Sequence, residues 1–215
     1  MITAQQLHRI AILGVPMEII GHRGAKGLAP ENTVASIKRG LSCHVDMIEV
    51  DVRVDNKKLV LSHDPTVNTK NYTALEEALK VVNGKVKLNL EIKEIQVVEK
   101  LPSVMKHYKG DVLYSSFDFH ILQELTRVLP HAEIAVLEKW SGVRAVAEAS
   151  LLGIKRVHIN QQWLWSGFVR SMKHRGYKLY AYTVNNSDRA EELKEWGVDG
   201  IFTDFPSLFK REDIS

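Results

Sequence analysis

The sequence has almost no cysteine and no long apolar run, and both absences exclude classes of protein. Cys43 is the single cysteine, so an intramolecular disulfide and a zinc site built from several thiolates are excluded. One cysteine also fits a reducing compartment. The apolar stretch 10–15 is interrupted by Pro16 and Glu18, lacks a signal-peptide cleavage pattern and is too short to cross a membrane. We therefore expect a cytoplasmic protein without stable membrane insertion.

The chain also lacks a strong excess of one charge. Its 29 lysines and arginines are spread among 26 acidic residues, which leaves a formal net charge of +3. This balance does not favour nucleic acid as a partner and allows, at most, a local positive site for a small anionic molecule. A content of 45% hydrophobic and 26% charged residues in a chain of 215 is typical of one globular domain, which we expect to span residues 1–215. Composition indicates nothing about oligomeric state.

Short apolar runs alternate with amphipathic stretches along the whole chain. The predicted strands are 18–24, 47–52, 86–92, 112–116, 134–137, 156–160, 179–184 and 200–203. The predicted helices are 32–41, 72–82, 96–108, 117–129, 142–152, 163–174 and 188–196, with a last turn from 206 and a short amphipathic helix at 4–13 before the first strand. Eight such pairs predict an α/β fold, the (β/α)₈ TIM barrel, in which the C-terminal ends of the strands carry the site.

The second unit departs from this alternation. Residues 59–64 form another strand-like run soon after Asp51, and residues 55–58 have the composition of a turn. A connection this short is compatible with a hairpin and not with a parallel crossover. We expect the hairpin to fold back at the rim of the barrel and to place His63 opposite His22.

Polar residues gather at the ends of the first three barrel strands. His22 and Arg23, between two glycines, offer an acid or base and a fork of donors for an oxyanion. Glu49 and Asp51 are two residues apart, so both side chains face the same side of their strand.

Glu91 and Lys93 have the same spacing, and on the barrel interior three carboxylates would meet with few counter-charges. Oxygen ligands favour Mg²⁺ or Ca²⁺. Alternatively, Lys93 neutralises Glu91, and residues 63–65 are only a turn.

These residues resemble the signature of the glycerophosphodiester phosphodiesterase family. The matching motifs are His22-Arg23-Gly24, Pro30-Glu31-Asn32-Thr33, Glu49-Val50-Asp51, His63-Asp64 and Leu90-Glu91-Ile92-Lys93, followed by Ser115-Ser116-Phe117, Tyr182-Thr183-Val184-Asn185 and Thr203-Asp204-Phe205-Pro206. The resemblance covers nearly the whole chain. It implies a phosphodiesterase-type barrel, a divalent cation, and cleavage of a glycerophosphodiester, such as glycerophosphocholine or glycerophosphoethanolamine, to an alcohol and glycerol phosphate.

The resemblance also implies a role for each residue that matches a motif. By this similarity the metal ligands are Glu49, Asp51 and Glu91, the acid and base are His22 and His63, and the phosphate contacts are Arg23 and Lys93. Which histidine is the base, which cation binds, and whether a cyclic phosphate forms before water attacks all stay open. In the Pro-Glu-Asn-Thr motif, Asn32 or Thr33 is expected to cap a helix, and Glu31 to lie near its positive end.

The chain departs from the family in one place. Many members have a longer insertion between His63 and Glu91, so we expect a low wall and an open mouth that would also admit lysophospholipids. Trp163 and Trp165 either pack a helix on the barrel or bind a choline group by cation–π contact. A Schiff-base enzyme using Lys93 and a noncatalytic phosphate-binding barrel are the alternative functions.

Overall fold

The structure is a computed structural model and describes residues 17–67 and 71–209. Its strands are β1 (Glu18–Gly21), β2 (Met47–Asp55), β3 (Lys58–Leu61), β4 (Lys87–Ile92), β5 (Val112–Ser116), β6 (Glu133–Glu138), β7 (Arg156–Asn160), β8 (Lys178–Tyr182) and β9 (Gly200–Thr203). Its α-helices are α1 (Val34–Ser42), α2 (Leu75–Val82), α3 (Ile95–Met105), α4 (Phe119–Val128), α5 (Gly142–Leu151), α6 (Ser166–His174) and α7 (Ser187–Trp196). Short 3₁₀ helices occupy Gln161–Trp163 and Pro206–Phe209.

Eight of these strands close into a parallel barrel. Neighbouring strands follow the order β1, β2, β4, β5, β6, β7, β8, β9, and β9 pairs with β1 in parallel to complete the circle. Helices connect successive strands, so the predicted (β/α)₈ barrel is confirmed. The helix predicted at 4–13 lies outside the described residues. No helix in the described ranges 17–67 and 71–209 has the length and apolar character needed to cross a membrane.

The strand β3 is the exception to the parallel order. It runs antiparallel to β2, with Val52 opposite Leu61 and Asp55 opposite Lys58. Asn56 and Lys57 form the turn between them with φ of 44° and 67°, the left-handed values that a two-residue hairpin turn requires. The predicted hairpin is therefore present, and it returns the chain toward His63.

Side-chain alternation decides what the barrel encloses. Met47 of β2 packs in the interior with residues of other strands, namely Ile20, Leu113, Ala135, Tyr180 and Phe202. Because alternate residues of a strand share a face, Glu49 and Asp51 point inward with Met47. Ile48, Val50 and Val52 pack on the opposite face, in the larger core beneath the helices. The same alternation on β4 turns Asn89 and Glu91 inward.

Several predicted boundaries differ from the structure, and two of them have clear local reasons. β1 ends at Gly21, because Arg23 and Gly24 have φ of 50° and 86° and leave the extended conformation. α2 begins at Leu75 and not at residue 72, because Thr73 accepts a hydrogen bond from the backbone of Leu61 and the next residue bridges to β3. A segment paired with a strand cannot begin a helix.

Candidate active site

A cavity of about 470 Å³ opens at the C-terminal ends of the barrel strands. His22 and His63 both line it, together with Arg23, Glu49, Glu91 and Lys93. The other lining residues are Lys26, Phe117, Leu137, Lys139, His158, Asn160, Tyr182, Thr183 and Phe202. Asp51 lies directly behind this surface, within reach of the other two acidic residues. The structure therefore brings together all seven residues that the sequence singled out.

The His22 corner is a tight loop that depends on glycine. The amide of Gly24 donates to the Glu49 carbonyl at 2.9 Å, which fixes the loop against β2. A Cβ on Gly24 would lie 2.4 Å from the Ser36 hydroxyl oxygen. A Cβ on Gly21 would lie 2.1 Å from the Gly24 carbonyl oxygen. Only glycine lets the backbone pass this closely, so the corner has one conformation.

Replacing Gly24 with alanine is expected to destabilise the protein through this contact. The left-handed φ costs about 1 kcal/mol, and the clash with α1 adds ~1–3 kcal/mol. Gly153 is the matched control, since its φ of 68° is also left-handed but a Cβ there would meet no atom of residues 17–67 or 71–209 within 4 Å. Chemical denaturation should show a clearly larger loss for Gly24→Ala than for Gly153→Ala. Equal losses would show that the corner tolerates a side chain.

Three buried carboxylates form the floor of the site. Oxygens of Glu49, Asp51 and Glu91 lie within 4.8 Å of one another, and all three residues are almost completely buried. Burial, followed by repulsion from Asp51 and Glu91, raises the pKa of Glu49 well above its ordinary value. Burial and Asp51 likewise raise the pKa of Glu91, to about 7. Burial opposes ionisation of Asp51 too, but Lys93 and Arg23 outweigh it and lower the pKa of Asp51.

Two positively charged side chains, Lys93 and Arg23, hold the acidic cluster in place. Lys93 Nζ donates to Glu91 Oε1 and lies 3.2 Å from Asp51 Oδ1. Burial lowers the pKa of Lys93, but Glu91 and Asp51 outweigh burial and raise it. The Arg23 amide donates to Glu49 Oε2 at 2.7 Å, and Arg23 Nε lies 3.3 Å from Asp51 Oδ2. A lysine held in its charged form is a poor nucleophile, which removes the support for a Schiff-base role.

The donor set fits a divalent cation. The second oxygen of Glu49, Oε1, is buried and has no hydrogen-bond partner among the described residues. An unpaired buried carboxylate oxygen is costly unless a cation or a donor satisfies it. Three carboxylates offer hard oxygen ligands of the kind that Mg²⁺ and Ca²⁺ prefer. The cluster could therefore hold such an ion, as the sequence predicted.

His22 is oriented by a residue from the far end of the chain. Its Nδ1 lies 2.6 Å from Asp204 Oδ1, and the other Asp204 oxygen accepts from Asn185 Nδ2 at 2.8 Å. With the Nδ1 proton donated to Asp204, the His22 Nε2 lone pair is free to accept a proton. Burial lowers the pKa of His22, and Arg23 adds to this, although the hydrogen bond to Asp204 opposes it. His22 is accordingly neutral at neutral pH.

His63 occupies a more open position on the hairpin side of the cavity. Its side chain is 39% exposed, and its Nδ1 lies 2.9 Å from Asp64 Oδ1. Its backbone carbonyl accepts hydrogen bonds from Arg53 Nε and a terminal Arg53 nitrogen at 3.1 and 3.0 Å. Arg53 is itself paired with Glu94 at 2.6 Å. The loop is therefore anchored through its backbone, while the imidazole remains accessible.

Among the residues that hold the charged groups of the site in position, Asn32 and Asp204 were not predicted as site residues. Asn32 has φ of 56°, so it is not part of α1, and Thr33 is the residue that caps the helix. The Asn32 amide donates to Asp51 Oδ2 at 2.8 Å and accepts from the Asp51 backbone at 3.0 Å. The only sequence signals for Asn32 and Asp204 were their positions inside motifs of the resemblance.

Contacts also bear on the expectations for Glu31 and for the two tryptophans. Glu31 lies before the α1 cap, and its carboxylate pairs with Arg23 at 2.9 Å, so it supports the site and not the helix terminus. Trp165, at the N-terminus of α6, contacts Phe168 of the same helix with ring centroids 5.1 Å apart and remains 55% exposed, so packing of the helix on the barrel through these tryptophans stays a prediction. Neither Trp163 nor Trp165 lines the cavity.

The fold and the site together define a class of protein. It is a TIM-barrel enzyme with a carboxylate cluster suited to a hard cation, cationic groups suited to a phosphate, and two histidines on one cavity.

Comparison with known proteins identifies the family. The sequence profile of the glycerophosphoryl diester phosphodiesterase family matches residues 22–70 and 68–208. The chain therefore belongs to this family, and it is an enzyme of the phosphodiesterase class.

Named relatives agree with the family assignment. The chain is 29% identical over 228 residues to a glycerophosphodiester phosphodiesterase of Caldanaerobacter subterraneus, covering 87% of this chain and 94% of that protein. A phosphodiesterase of Oleispira antarctica, solved in complex with the product sn-glycerol-3-phosphate, has a TM-score of 0.81 and 25% identity, covering 92% of this chain and 96% of that one. A Thermotoga maritima glycerophosphodiester phosphodiesterase shares the fold with a TM-score of 0.78, 22% identity and coverage of 90% and 97%.

Proposed function

We propose that this chain hydrolyses glycerophosphodiesters to an alcohol and glycerol phosphate, with a divalent cation held by Glu49, Asp51 and Glu91. The main observation is the convergence of three buried carboxylates, two cations and two histidines on one cavity. The sn-glycerol-3-phosphate bound to the Oleispira antarctica phosphodiesterase supports this substrate class. Glycerophosphocholine and glycerophosphoethanolamine are the simplest members to test.

The positive groups would bind the phosphodiester. When bound, the cation supplies positive charge that offsets the charge developing on the nonbridging phosphate oxygens. Arg23 and Lys93 line the same cavity and supply fixed positive charge beside the acidic cluster. Glu31 and Asn32 would keep Arg23 and Asp51 in position through their hydrogen bonds. Charge placed before the reaction needs no reorganisation during it.

We assign His22 as the base and His63 as the acid. The His22 side chain is 14% exposed, its pKa is lowered by burial, and Asp204 holds its Nδ1, so Nε2 is the nitrogen that can accept a proton. His63 is the more exposed of the two and lines the same cavity. His22 would take the proton from the nucleophile, either water or the glycerol 2-hydroxyl. His63 would give a proton to the departing alcohol oxygen.

The acid role of His63 predicts a dependence on the leaving group. His63→Ala should lower kcat on glycerophosphocholine by about 10²-fold or more, because choline leaves as an alkoxide without a proton. The loss should be much smaller with a p-nitrophenyl glycerophosphodiester, whose leaving group needs no acid. His22→Ala should be equally impaired on both substrates. If the loss depends on the leaving group in His22→Ala and not in His63→Ala, then His22 is the acid and His63 is the base.

We also propose that the chain forms one domain with a low wall on the hairpin side of the site. α2 begins at Leu75, after a described connection with no helix or strand at 62–67 or 71–74, except for the single bridge of Ala74. The family match divides at residues 68–70, within this connection, as expected where family members have an insertion that is missing here. A low wall would leave the cavity mouth open to substrates larger than a small glycerophosphodiester.

Product analysis tests the proposed function. Purified protein with Mg²⁺ or Ca²⁺ should release choline or ethanolamine together with glycerol phosphate from the two substrates. Release of glycerol and a phosphorylated alcohol would place the cleavage on the other ester bond. Binding of glycerophosphocholine without any turnover would favour the noncatalytic barrel.

A further inference from the structure

The exposed tryptophans of this protein lie together on one side of the cavity mouth. Trp140 follows β6, and Trp163 and Trp165 follow β7, the next strand of the barrel. They are 64%, 43% and 55% exposed, and the sequence has only four tryptophans. We call these three residues the aromatic rim. Exposure of several large aromatic side chains in one place marks an interaction surface more often than chance.

The mouth of the barrel has two chemically different halves. The loops after β1, β3 and β4, together with β2 and β4 themselves, supply the acidic cluster, the two histidines, Arg23 and Lys93. The loops after β5, β6 and β7 supply Phe117 and the aromatic rim. A phosphodiester held on the charged half therefore has its remaining groups facing the aromatic half. The Phe117 ring, which lines the cavity and is 38% exposed, lies between the two.

The rim faces outward and is not part of a pocket for a small head group. None of its three residues lines the cavity. The ammonium of Lys139 lies 4.8 Å above the Trp140 ring, so this face is already occupied by a cation and is unsuited to choline. Trp165 uses part of its ring on Phe168. The occupant must therefore cover the rim from outside.

The positive charges on both sides of the cavity mouth favour an anionic lipid surface as that occupant. Lys139 is exposed, lines the cavity mouth, and forms no ion pair with any acidic residue in the described ranges. Lys26, also at the mouth, is 3.9 Å from its nearest acidic partner, Asp204. Tryptophan and lysine are the side chains that settle at the boundary between acyl chains and anionic head groups. An apolar protein partner would not explain an exposed lysine that forms no ion pair within the described ranges.

We propose that the aromatic rim rests on an anionic lipid surface and that the site takes single-chain glycerophosphodiesters, the lysophospholipids, from it. The charged half would hold the phosphodiester while the acyl chain stays in the lipid beneath the rim. The choice of substrate rests on the proposed function, whereas attachment to lipid does not.

Vesicle binding tests the rim directly. Wild-type protein should co-sediment with vesicles of equimolar phosphatidylcholine and phosphatidylglycerol. Trp140→Ala combined with Trp163→Ala should weaken binding about tenfold or more, since two large apolar groups lose their burial. Leu151 is the matched control, because it is 77% exposed at the α5 end that faces away from the mouth, and Leu151→Ala should bind like wild type. Absence of wild-type binding, or equal loss in all variants, would overturn the proposal. The proposal would also be overturned if the wild-type protein is a dimer in solution and the double variant is a monomer.

Activity on two substrates separates this proposal from the proposed function. The double variant should hydrolyse water-soluble glycerophosphocholine within about twofold of wild type, because neither residue touches the cavity. Its turnover of lysophosphatidylglycerol in the same vesicles should fall about tenfold or more, in parallel with binding. Equal turnover of lysophosphatidylglycerol by wild type and by the double variant would overturn the substrate assignment. If wild type hydrolyses neither substrate, the proposed function is contradicted. The sedimentation result would still show whether the aromatic rim binds lipid.

Discussion

His22→Ala is expected to lower kcat by about 10²–10⁴-fold, the range for loss of a positioned acid or base. The reason is geometric. His22 Nδ1 lies 2.6 Å from Asp204, a carboxylate that is 13% exposed and is itself held by Asn185, whereas the Asp64 carboxylate 2.9 Å from His63 Nδ1 is 84% exposed. His22→Asn is the companion variant, because its amide can still donate toward Asp204 and keep the corner folded. Both variants should show this loss of kcat, and the asparagine variant should melt close to wild type.

The pH profile checks the same assignment independently. A base acts in its neutral form, so kcat/KM should fall as pH drops through the pKa of His22, which lies below 6.5 because of burial. Asp204→Asn removes a hydrogen bond and a charge that raise this pKa, so the acid limb should move to lower pH. An acid limb that does not move would show that another group controls the profile.

Glu49→Gln is expected to abolish the effect of metal on both activity and stability. Burial and the neighbouring carboxylates raise the pKa of Glu49 well above its ordinary value and so favour its neutral carboxyl form in the metal-free protein, which glutamine imitates. Without metal the variant should therefore unfold like wild type. With metal at about 100 times its dissociation constant, wild type should gain about 2.7 kcal/mol while the variant gains little. Activity should fall by about three orders of magnitude, equivalent to ~4 kcal/mol of transition-state stabilisation.

The sign of the pH dependence follows from the same shifts. A carboxyl whose pKa is raised on folding stabilises the folded state at low pH, and this contribution is lost as pH rises through the folded pKa. Chelated wild type should therefore lose stability as pH rises through about 7, where Glu91 ionises, and further as Glu49 ionises. Chelated Glu49→Gln should lose less stability than chelated wild type over the same rise in pH.

Glu138 provides the matched control for this variant. It is a buried glutamate at the end of β6, outside the acidic cluster, and its carboxylate accepts from the Trp140 amide at 2.8 Å. Glu138→Gln should leave the response to metal intact. A metal-induced rise in melting temperature that survives Glu49→Gln would remove Glu49 from the binding site.

The fold was predictable because its signal is local and repeated. Each apolar run of four to seven residues specifies a strand, and the intervening amphipathic stretches specify helices. The carboxylate cluster was predictable for a related reason. Residues 49 and 51 share a face by the strand period, and equivalent ends of parallel strands meet at one rim.

The unpredicted parts of the site depend on backbone geometry and on distant contacts. Asn32 follows a proline and an acid in a pattern typical of a helix start, yet its left-handed φ turns its amide toward Asp51. Asp204 is 182 residues from His22 in sequence, and only closure of the barrel between β9 and β1 brings them together. No period or spacing contains that information.

The central claim is that the acidic cluster holds the cation that this phosphodiesterase needs. The most direct measurement is the rate of glycerol phosphate release from glycerophosphocholine by protein stripped with chelator, before and after addition of Mg²⁺ or Ca²⁺. The structure predicts negligible release from the stripped protein and recovery with one of the two cations, with no recovery in Glu49→Gln. Full turnover by the stripped protein would contradict the claim.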